Sequence, residues 1–106
     1  MKAFEASKKT LEAKILASQE KSKREIKQIE LEIEEAIKSL ETKALYLNFV
    51  QDETIEYFLN LGYDVNEVSL GYADEDGDYI SRGGRVEFYW HEPKEKGKLT
   101  KSNRYN

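Results

Sequence analysis

The stretch DEDGDYISRGGRVEFYWHE, residues 74–92, decides how the second half of the chain folds. It contains two sequences typical of β-hairpin turns, Asp76-Gly77 and Gly83-Gly84, because glycine readily adopts the positive φ that a two-residue turn requires. Apolar and polar residues alternate over 67–72 and again over 86–91, which is the period of a strand with one buried face. The sequence therefore predicts a three-stranded antiparallel β-meander with its turns at these two sites.

A short helix is predicted directly before the meander, over residues 53–61. Asp52 suits the N-cap, because its carboxylate can accept a hydrogen bond from a backbone N–H of the first turn. Gly62 suits the left-handed position that follows a helix, and Tyr63 is the apolar residue that often comes next. So few residues cannot bury a core on their own. We therefore expect the aromatic face of the meander to pack on this helix, on the preceding segment or on a neighbouring subunit.

The N-terminal part of the chain predicts one long α-helix. Residues 2–47 contain no Gly, Pro or Asp and are rich in residues with high helix propensity. Apolar residues recur in steps of three and four that form an eleven-residue repeat, so the helix is coiled-coil-like and its pairing should be nearly straight. The residues predicted to mediate oligomerisation are Leu11, Ile15, Ile26, Ile29, Ile33, Ile37 and Leu40.

This helix is too long for a small domain to cover. A helix of this length spans roughly 65–70 Å, so we expect it to pair with a second chain in a homo-oligomer. The alternative is a hairpin that folds back near Ser18–Ser22, because Ser22 and Glu25 have the spacing of a capping box before Ile26. A second open point is whether the helix continues through Asp52.

Charge favours antiparallel helix pairing in either arrangement. Residues 1–27 carry eight bases and four acids, whereas residues 28–50 carry two bases and five acids. Parallel pairing would place like charges side by side. Antiparallel pairing, or a hairpin, places the basic half beside the acidic half, and such charge patterns select between otherwise similar arrangements.

Net charge divides the chain into three segments with different predicted roles. Residues 1–50, with a net charge of +1, form the oligomerisation helix, and residues 51–92, with −9, form an acidic α+β unit. Residues 93–106 carry +4, show no periodicity and predict a basic flexible tail. The tail could lie across the acidic unit of its own chain or of a neighbour. Nucleic-acid binding is expected only weakly and through this tail, because five bases in an acidic protein are a small footprint.

The sequence contains no recognisable catalytic, cofactor or metal site. Residues 74–78 have carboxylates at alternate positions, but Tyr79 and Arg85 stand where a calcium loop needs Gly and a bidentate Glu. His91 is the sole histidine, no nucleophile motif accompanies it, and the chain has no Cys. We therefore expect a protein that is not an enzyme and that binds no metal or cofactor.

Two surfaces are predicted to bind something. Arg82, Gly83, Gly84 and Arg85 predict an anion site, because two guanidinium groups would flank a tight turn. A hairpin with solvated arginines is the competing interpretation. An acidic aromatic surface is predicted to contact a partner protein that has a basic surface. Its residues are Asp74, Asp76, Asp78, Tyr79, Tyr89 and His91.

These features predict a non-enzymatic, homo-oligomeric interaction protein that binds or blocks a partner protein. The alternatives are a binder of a nucleotide or another anionic small ligand, and a structural component of a larger assembly such as a virion. The size, the charged helix and the small α+β unit are similar in style to small accessory proteins of bacteriophages and mobile elements. No apolar run has the length of a membrane span or of a signal peptide. We therefore expect a cytoplasmic location, that of the host if the chain is phage-encoded, and no membrane association.

Overall fold

The computed structural model describes residues 2–92 and 94–105, and these residues form two α-helices and four β-strands. In chain order the elements are α1 (Ala3–Lys38), β1 (Lys43–Tyr46), α2 (Asp52–Asn60), β2 (Asp64–Ala73), β3 (Tyr79–Tyr89) and β4 (Leu99–Tyr105). The fold is therefore α+β, with a long N-terminal helix and a short second helix, as the sequence predicts.

The sheet is mixed, and its four described strands have the order β1-β3-β2-β4. β3 runs antiparallel to both β1 and β2, whereas β4 runs parallel to β2. This corrects the prediction of a three-stranded antiparallel meander. β2 and β3 form the first predicted hairpin, but β1 and β4 come from segments that the sequence assigned to the long helix and to a flexible tail.

The predicted hairpin turn is at Asp76-Gly77, but it is longer than the two-residue turn expected, because residues 74–78 join the strands and only Gly77 has a positive φ. The Asp74 N–H donates to the Asp78 carbonyl at 2.9 Å, and Oδ1 of Asp74 accepts hydrogen bonds from the N–H groups of Asp76, at 3.0 Å, and Asp78, at 2.8 Å. Gly77 has a φ of 84°, which glycine tolerates without steric cost. The acidic segment is thus a turn closed by its own first carboxylate.

The second predicted turn, at Gly83-Gly84, is a β-bulge instead. β3 runs through it, with Gly84 paired to Ser69 and Ser81 paired to Gly71. Between these pairs β3 has two residues where β2 has one, and Gly83 has a φ of 117°. A glycine bulge and a glycine turn need the same backbone freedom, so the sequence pattern alone does not distinguish them.

Gly84 is required for a different reason from the one that the turn prediction implies. Its φ is not positive, but a Cβ at this position would overlap the Phe49 ring and lie 2.6 Å from the Val68 carbonyl oxygen. The aromatic ring packs directly on the glycine backbone, which is a way to cover a glycine within a sheet.

α1 ends at Lys38, earlier than predicted. Leu40 has a φ of 60°, and the N–H groups of Leu40 and Glu41 donate to the carbonyls of Ile37, at 3.0 Å, and Ala36, at 2.9 Å. This is the Schellman pattern that closes many helices, but leucine occupies the left-handed position that is usually glycine. The absence of that glycine is why the sequence predicts a longer helix. α2 ends in the same pattern with the predicted Gly62, whose φ is 93°.

α1 is continuous through Ser18–Ser22, so it does not fold back there. Its C-terminal half packs against α2 and the sheet, whereas residues 3–21 are exposed except for the half-buried Ser18. The buried residues of α1 are Ser22, Glu25, Ile29, Ile33 and Ala36. The core that they join contains Ala44, Ile55, Phe58, Leu59, Val65, Val86 and Phe88. The aromatic residues of the sheet thus pack on α2 and on the end of α1, one of the arrangements expected from the sequence.

Ser22 and Glu25 do not form a capping box within α1, because their side chains hold the start of α2. Oε1 of Glu25 accepts hydrogen bonds from the Gln51 N–H at 3.1 Å and from the Thr54 hydroxyl at 2.8 Å, and the Ser22 hydroxyl donates to the Gln51 side chain at 2.7 Å. Gln51, not the predicted Asp52, is the N-cap and makes no side-chain cap bond itself. A carboxylate from α1 therefore caps α2, where it also meets the positive end of the helix dipole.

The basic C-terminal segment is a strand, not the expected flexible tail. β4 pairs with β2 from Val65 onward, and Asp64 anchors the segment before it. The Asp64 carboxylate accepts a hydrogen bond from the Lys98 N–H at 2.8 Å and pairs with the Lys94 ammonium at 2.9 Å. The segment therefore lies on the acidic unit of its own chain, the second arrangement expected for it. Residues 1, 93 and 106 of the predicted segments lie outside the described residues.

Candidate functional site

The residues of the predicted acidic aromatic surface lie at opposite ends of β3. The acidic turn, residues 74–78, directly precedes Tyr79, whose hydroxyl lies 2.9 Å from the Ser69 hydroxyl. Tyr89 and His91 are at the other end of this 11-residue strand, roughly 35 Å away at about 3.3 Å per residue. The structure therefore does not bring the predicted residues together in one patch.

The predicted anion-binding residues belong to a strand and not to the tip of a turn. The Arg82 guanidinium lies 4.4 Å from the centre of the Tyr72 ring, a cation–π contact. Nε of Arg85 donates to Oε2 of Glu87 at 3.2 Å. Since Gly83-Gly84 is part of β3, the two arginines are elements of a sheet surface.

This surface is the side of the sheet that faces away from both helices, and we call it the outer face. Val65, Val86 and Phe88 point toward the helices, so the residues next to them along each strand point to the other side. The outer face includes Lys43, Asn66, Tyr72, Arg82, Arg85, Glu87, Tyr89, Ser102 and Arg104.

Glu87 lies at the centre of the outer face and is only 2% exposed. Its Oε1 accepts hydrogen bonds from the Tyr89 hydroxyl at 2.8 Å and from the Asn66 side-chain amide at 3.1 Å. Its Oε2 accepts from Arg85 and lies 3.5 Å from the Lys43 ammonium. A single carboxylate thus binds side chains from three strands.

These contacts keep Glu87 ionised. Burial alone would raise the pKa of Glu87, but hydrogen bonds from Tyr89 and Asn66 and the charges of Lys43 and Arg85 outweigh it, so the pKa lies below its usual range. Burial and the hydrogen bond to Glu87 raise the pKa of the Tyr89 hydroxyl. At neutral pH the centre of the outer face is therefore an anion whose neutral and cationic donors are fixed in place.

The network around Glu87 extends across the whole sheet. The Ser102 hydroxyl on β4 donates to Oδ1 of Asn66 at 3.0 Å. On β1, the Lys43 ammonium lies 5.5 Å from the centre of the Tyr89 ring. All four strands thus contribute to one connected polar network, and such networks rigidify the side chains that they include.

A groove runs between α1 and β1, and we call it the α1–β1 groove. Its α1 wall changes from basic, at Lys21 and Arg24, to acidic, at Glu32 and Glu35. The opposite wall is formed by residues 41–48. Exposed apolar side chains border the groove beside Gln28 and Glu32, and among them Leu47 is 83% exposed. An apolar border on an open groove is typical of a docking site.

The residues predicted to mediate oligomerisation divide into two groups. Ile29 and Ile33 are buried in the core of their own chain, and Ile26 is half-buried against it. The remaining four are exposed, and they are Leu11, Ile15, Ile37 and Leu40. The apolar stripe is therefore covered within the chain from Ile26 to Ile33 and exposed on both sides of that stretch.

The described residues give no support for a metal site or a membrane span. Over 2–92 and 94–105, no group of three or more potential metal-ligating side chains lies together. Within the same residues, neither helix combines the length and the hydropathy that a bilayer crossing needs.

Comparisons with known proteins found no match: no protein-family model, no curated protein and no solved structure is similar to this chain.

Sequence reasoning did not identify Glu25 and Glu87, the two carboxylates around which the structure organises its polar contacts. Glu25 lies among other charged residues of α1, and Glu87 is at a position that the alternation of β3 assigns to its more polar side, so both patterns predict exposure. Their burial depends on partners that are distant in the sequence, Gln51 and Thr54 for Glu25 and Lys43 and Asn66 for Glu87. Only the alternation of β3, which places Glu87 beside Val86, indicates the face on which it lies.

Proposed function

We propose that this chain is a non-enzymatic, homo-oligomeric interaction protein and that α1 is its assembly element. The observation that carries the proposal is the exposed apolar stripe on the N-terminal half of α1. Phe4, Leu11 and Ile15 are 80%, 60% and 52% exposed on a helix that extends beyond the domain. A projecting amphipathic helix gains most of its stability by burying such a stripe against a partner.

The occupant that we propose for the α1–β1 groove is the N-terminal half of α1 from a second copy. The projecting part, residues 3–21, has a length of about 28 Å, and the α1 wall of the groove from Lys21 to Lys38 has a length of about 26 Å. Because these lengths are similar, a two-fold axis near Lys21 would place the projecting half of each copy in the groove of the other copy. Such a self-complementary contact is the usual form of a closed dimer.

Charge complementarity favours the antiparallel direction for this pairing. An antiparallel second copy places its Lys8 and Lys9 near the acidic end of the groove, at Glu32 and Glu35. A parallel copy would place these lysines farther from those carboxylates and beside basic residues. Exposed pairs contribute less than about 1 kcal/mol each, but together they can select a direction.

Light scattering at tens of micromolar tests the assembly, with the variant L11E/I15E and the matched control L16E. Leu11 and Leu16 are 60% and 59% exposed, but they lie on different sides of α1, so only the first variant puts charges into the stripe. We expect a dimer for the wild type and for L16E, and a folded monomer for L11E/I15E. A monomeric wild type contradicts the proposal, and large open species would favour the structural role in an assembly.

The groove and the direction are tested separately. Leu47→Glu alters the groove without touching the projecting half, so it should also give a monomer. A dimer that survives this change would mean that α1 pairs outside the groove. The chain has no Cys, so a cysteine introduced at Glu5 or Glu41 carries a spin label at that position alone. In the antiparallel dimer a label at Glu5 lies near one at Glu41 of the second copy, whereas short distances between equivalent labels would indicate parallel pairing.

The partner protein that we propose has a basic surface, and the acidic turn of residues 74–78 with the adjacent Tyr79 is the contact. Tyr89 and His91 are not part of it, because they lie at the far end of β3. A turn tip is an accessible site whose side chains are not needed by the core.

A further inference from the structure

The outer face concentrates positive charge in an acidic protein. The chain carries a net charge of −4, yet four cationic side chains lie on this face, and they are Lys43, Arg82, Arg85 and Arg104. The central carboxylate of Glu87 opposes them, and Asp64 at the end of β2 already pairs with Lys94. With Asp64 paired to Lys94, the cations outnumber the free carboxylate of Glu87, and the outer face is locally positive although Arg82 lies near the acidic turn.

The cations are held in position, which distinguishes this face from an ordinary solvated sheet surface. Glu87 accepts a hydrogen bond from Nε of Arg85 and lies beside the Lys43 ammonium, so one carboxylate holds both cations. Burying a carboxylate is costly unless it is fully hydrogen-bonded, and a threonine or valine would fill a strand position at lower cost. We interpret Glu87 as a positioning residue that orients Arg85, Lys43 and Tyr89.

Two aromatic rings stand beside these cations. Tyr72 lies under the Arg82 guanidinium at 4.4 Å, and Tyr89 lies beside the Lys43 ammonium at 5.5 Å. Both rings are half-buried and belong to the outer face. Accessible aromatic rings interleaved with cations bind single-stranded nucleic acid, because bases stack on the rings while phosphates contact the positive charges.

We propose that the outer face binds single-stranded nucleic acid. The surface is an open sheet, with both helices on its opposite side, so it suits an extended polymer better than a small ligand that needs a concave pocket. Arg85, Lys43 and Arg104 contact phosphates, and Tyr72 and Tyr89 contact bases. The outer face meets the α1–β1 groove at β1, where Lys43 belongs to both, but this inference does not depend on self-association.

The first measurement is the fluorescence anisotropy of a labelled 20-nucleotide oligo(dT) or oligo(U) titrated with the full chain. Binding should weaken with salt, because each phosphate contact releases counterions. For three or four contacts the slope of log K against log salt should be about −2 to −3, at roughly −0.7 per contact with a single strand. No binding at 50 mM salt overturns the proposal.

The site is located by the variant R85Q/R104Q and its matched control K23Q/K27Q. Both remove two positive charges, but Lys23 and Lys27 are exposed on α1. The outer-face variant should lose at least about tenfold in affinity, since charge-assisted contacts to phosphate are the strong ones, while the control should change by less than about twofold. Equal losses in both variants would mean that net charge, and not this face, causes binding.

The role of Glu87 gives a test whose sign separates positioning from simple electrostatics. Glu87→Gln removes a negative charge from the face, so electrostatics alone predicts tighter binding. If Glu87 orients Arg85 and Lys43, binding becomes weaker although the face is more positive. Tighter binding by folded Glu87→Gln overturns the positioning role. If this variant does not fold, as judged by its melting curve, R104Q alone tests the face, because Arg104 is exposed.

Two competitors identify the class of ligand. An unlabelled duplex of the same length and charge should compete at least about tenfold less well, because its bases cannot stack on Tyr72 and Tyr89. Polyglutamate should not displace the oligonucleotide at matched charge. Equal competition by polyglutamate would assign the face to an acidic protein partner. Equal competition by the duplex would show that bases do not stack on Tyr72 and Tyr89. Either result contradicts the proposal.

Discussion

At the scale of single residues, Leu40 has a backbone conformation that is unfavourable for a residue with a Cβ. In the part of the chain that the structure describes, it is the non-glycine residue with a positive φ, of 60°, and its side chain is 93% exposed. A left-handed conformation costs an L-residue with a Cβ roughly 1 kcal/mol or more relative to glycine. Its side chain buries almost nothing in the chain itself, so packing does not offset that cost.

Leu40→Gly should therefore be more stable than Leu40→Ala. Both variants remove the exposed side chain, but only the glycine removes the Cβ that opposes the left-handed conformation. The expected difference is about 1 kcal/mol in the free energy of unfolding. Urea titration of the two variants at low protein concentration, where self-association contributes little, measures it. Equal stabilities would show that the end of α1 is not strained at this position.

At the scale of elements, the docking of α2 depends on one buried carboxylate of α1. Glu25→Ala should destabilise the chain by roughly 2–4 kcal/mol, because it leaves the buried Thr54 hydroxyl and the half-buried Gln51 N–H without their acceptor. Glu34→Ala on the same helix is the control, since Glu34 is exposed and should change stability by less than about 0.5 kcal/mol. Thermal unfolding of both variants measures the two losses of stability. A similar small effect in both would mean that α2 docks by apolar packing alone.

The elements also show which parts of the fold the sequence could predict. The two helices and the hairpin at Asp76-Gly77 follow from local patterns, and Gly62 correctly predicts how α2 ends. The end of α1 was missed because Leu40 takes a position that the pattern reserves for glycine. The sequence does not predict β4, because this edge strand is held by its backbone pairing with β2 and needs no apolar alternation. The basic residues of the segment are instead typical of a flexible tail.

The candidate site was less predictable than the fold, again for physical reasons. Arg82 and Arg85 were identified from their charge within an acidic segment, and both lie on the outer face. The turn that was expected to join them is a bulge, because Gly83 needs a positive φ in either structure. Glu87 could not be identified in advance, since its burial requires side chains from β1 and β2 that only the sheet register brings together.

At the scale of the whole molecule, stability should depend on pH through carboxylates that the fold keeps ionised. The pKa of Glu87 lies below its ordinary value of 4.5, and hydrogen bonds from Lys94 and Lys98 hold the pKa of Asp64 below its ordinary value of 3.8. Such groups bind protons more readily in the unfolded chain. Their contribution is fully present above these ordinary values and is lost as the pH falls through the folded-state values. Tyr89 acts in the opposite direction: its pKa is raised above 10.0, so its contribution is lost only as the pH rises through the raised value.

Glu87→Gln should therefore flatten the acid side of the stability profile. The glutamine cannot titrate, so the part of the stability that the wild type loses below about pH 4.5 is already missing from the variant at pH 7. Wild type and variant should differ most near neutrality and converge toward pH 3. Urea unfolding at pH steps between 3 and 7 measures this, with Glu34→Gln as a control that makes the same charge change at an exposed position. A constant difference between wild type and Glu87→Gln at every pH would show that the carboxylate contributes through its shape and its neutral hydrogen bonds alone. In that case its negative charge would not be what holds Arg85 and Lys43 on the outer face.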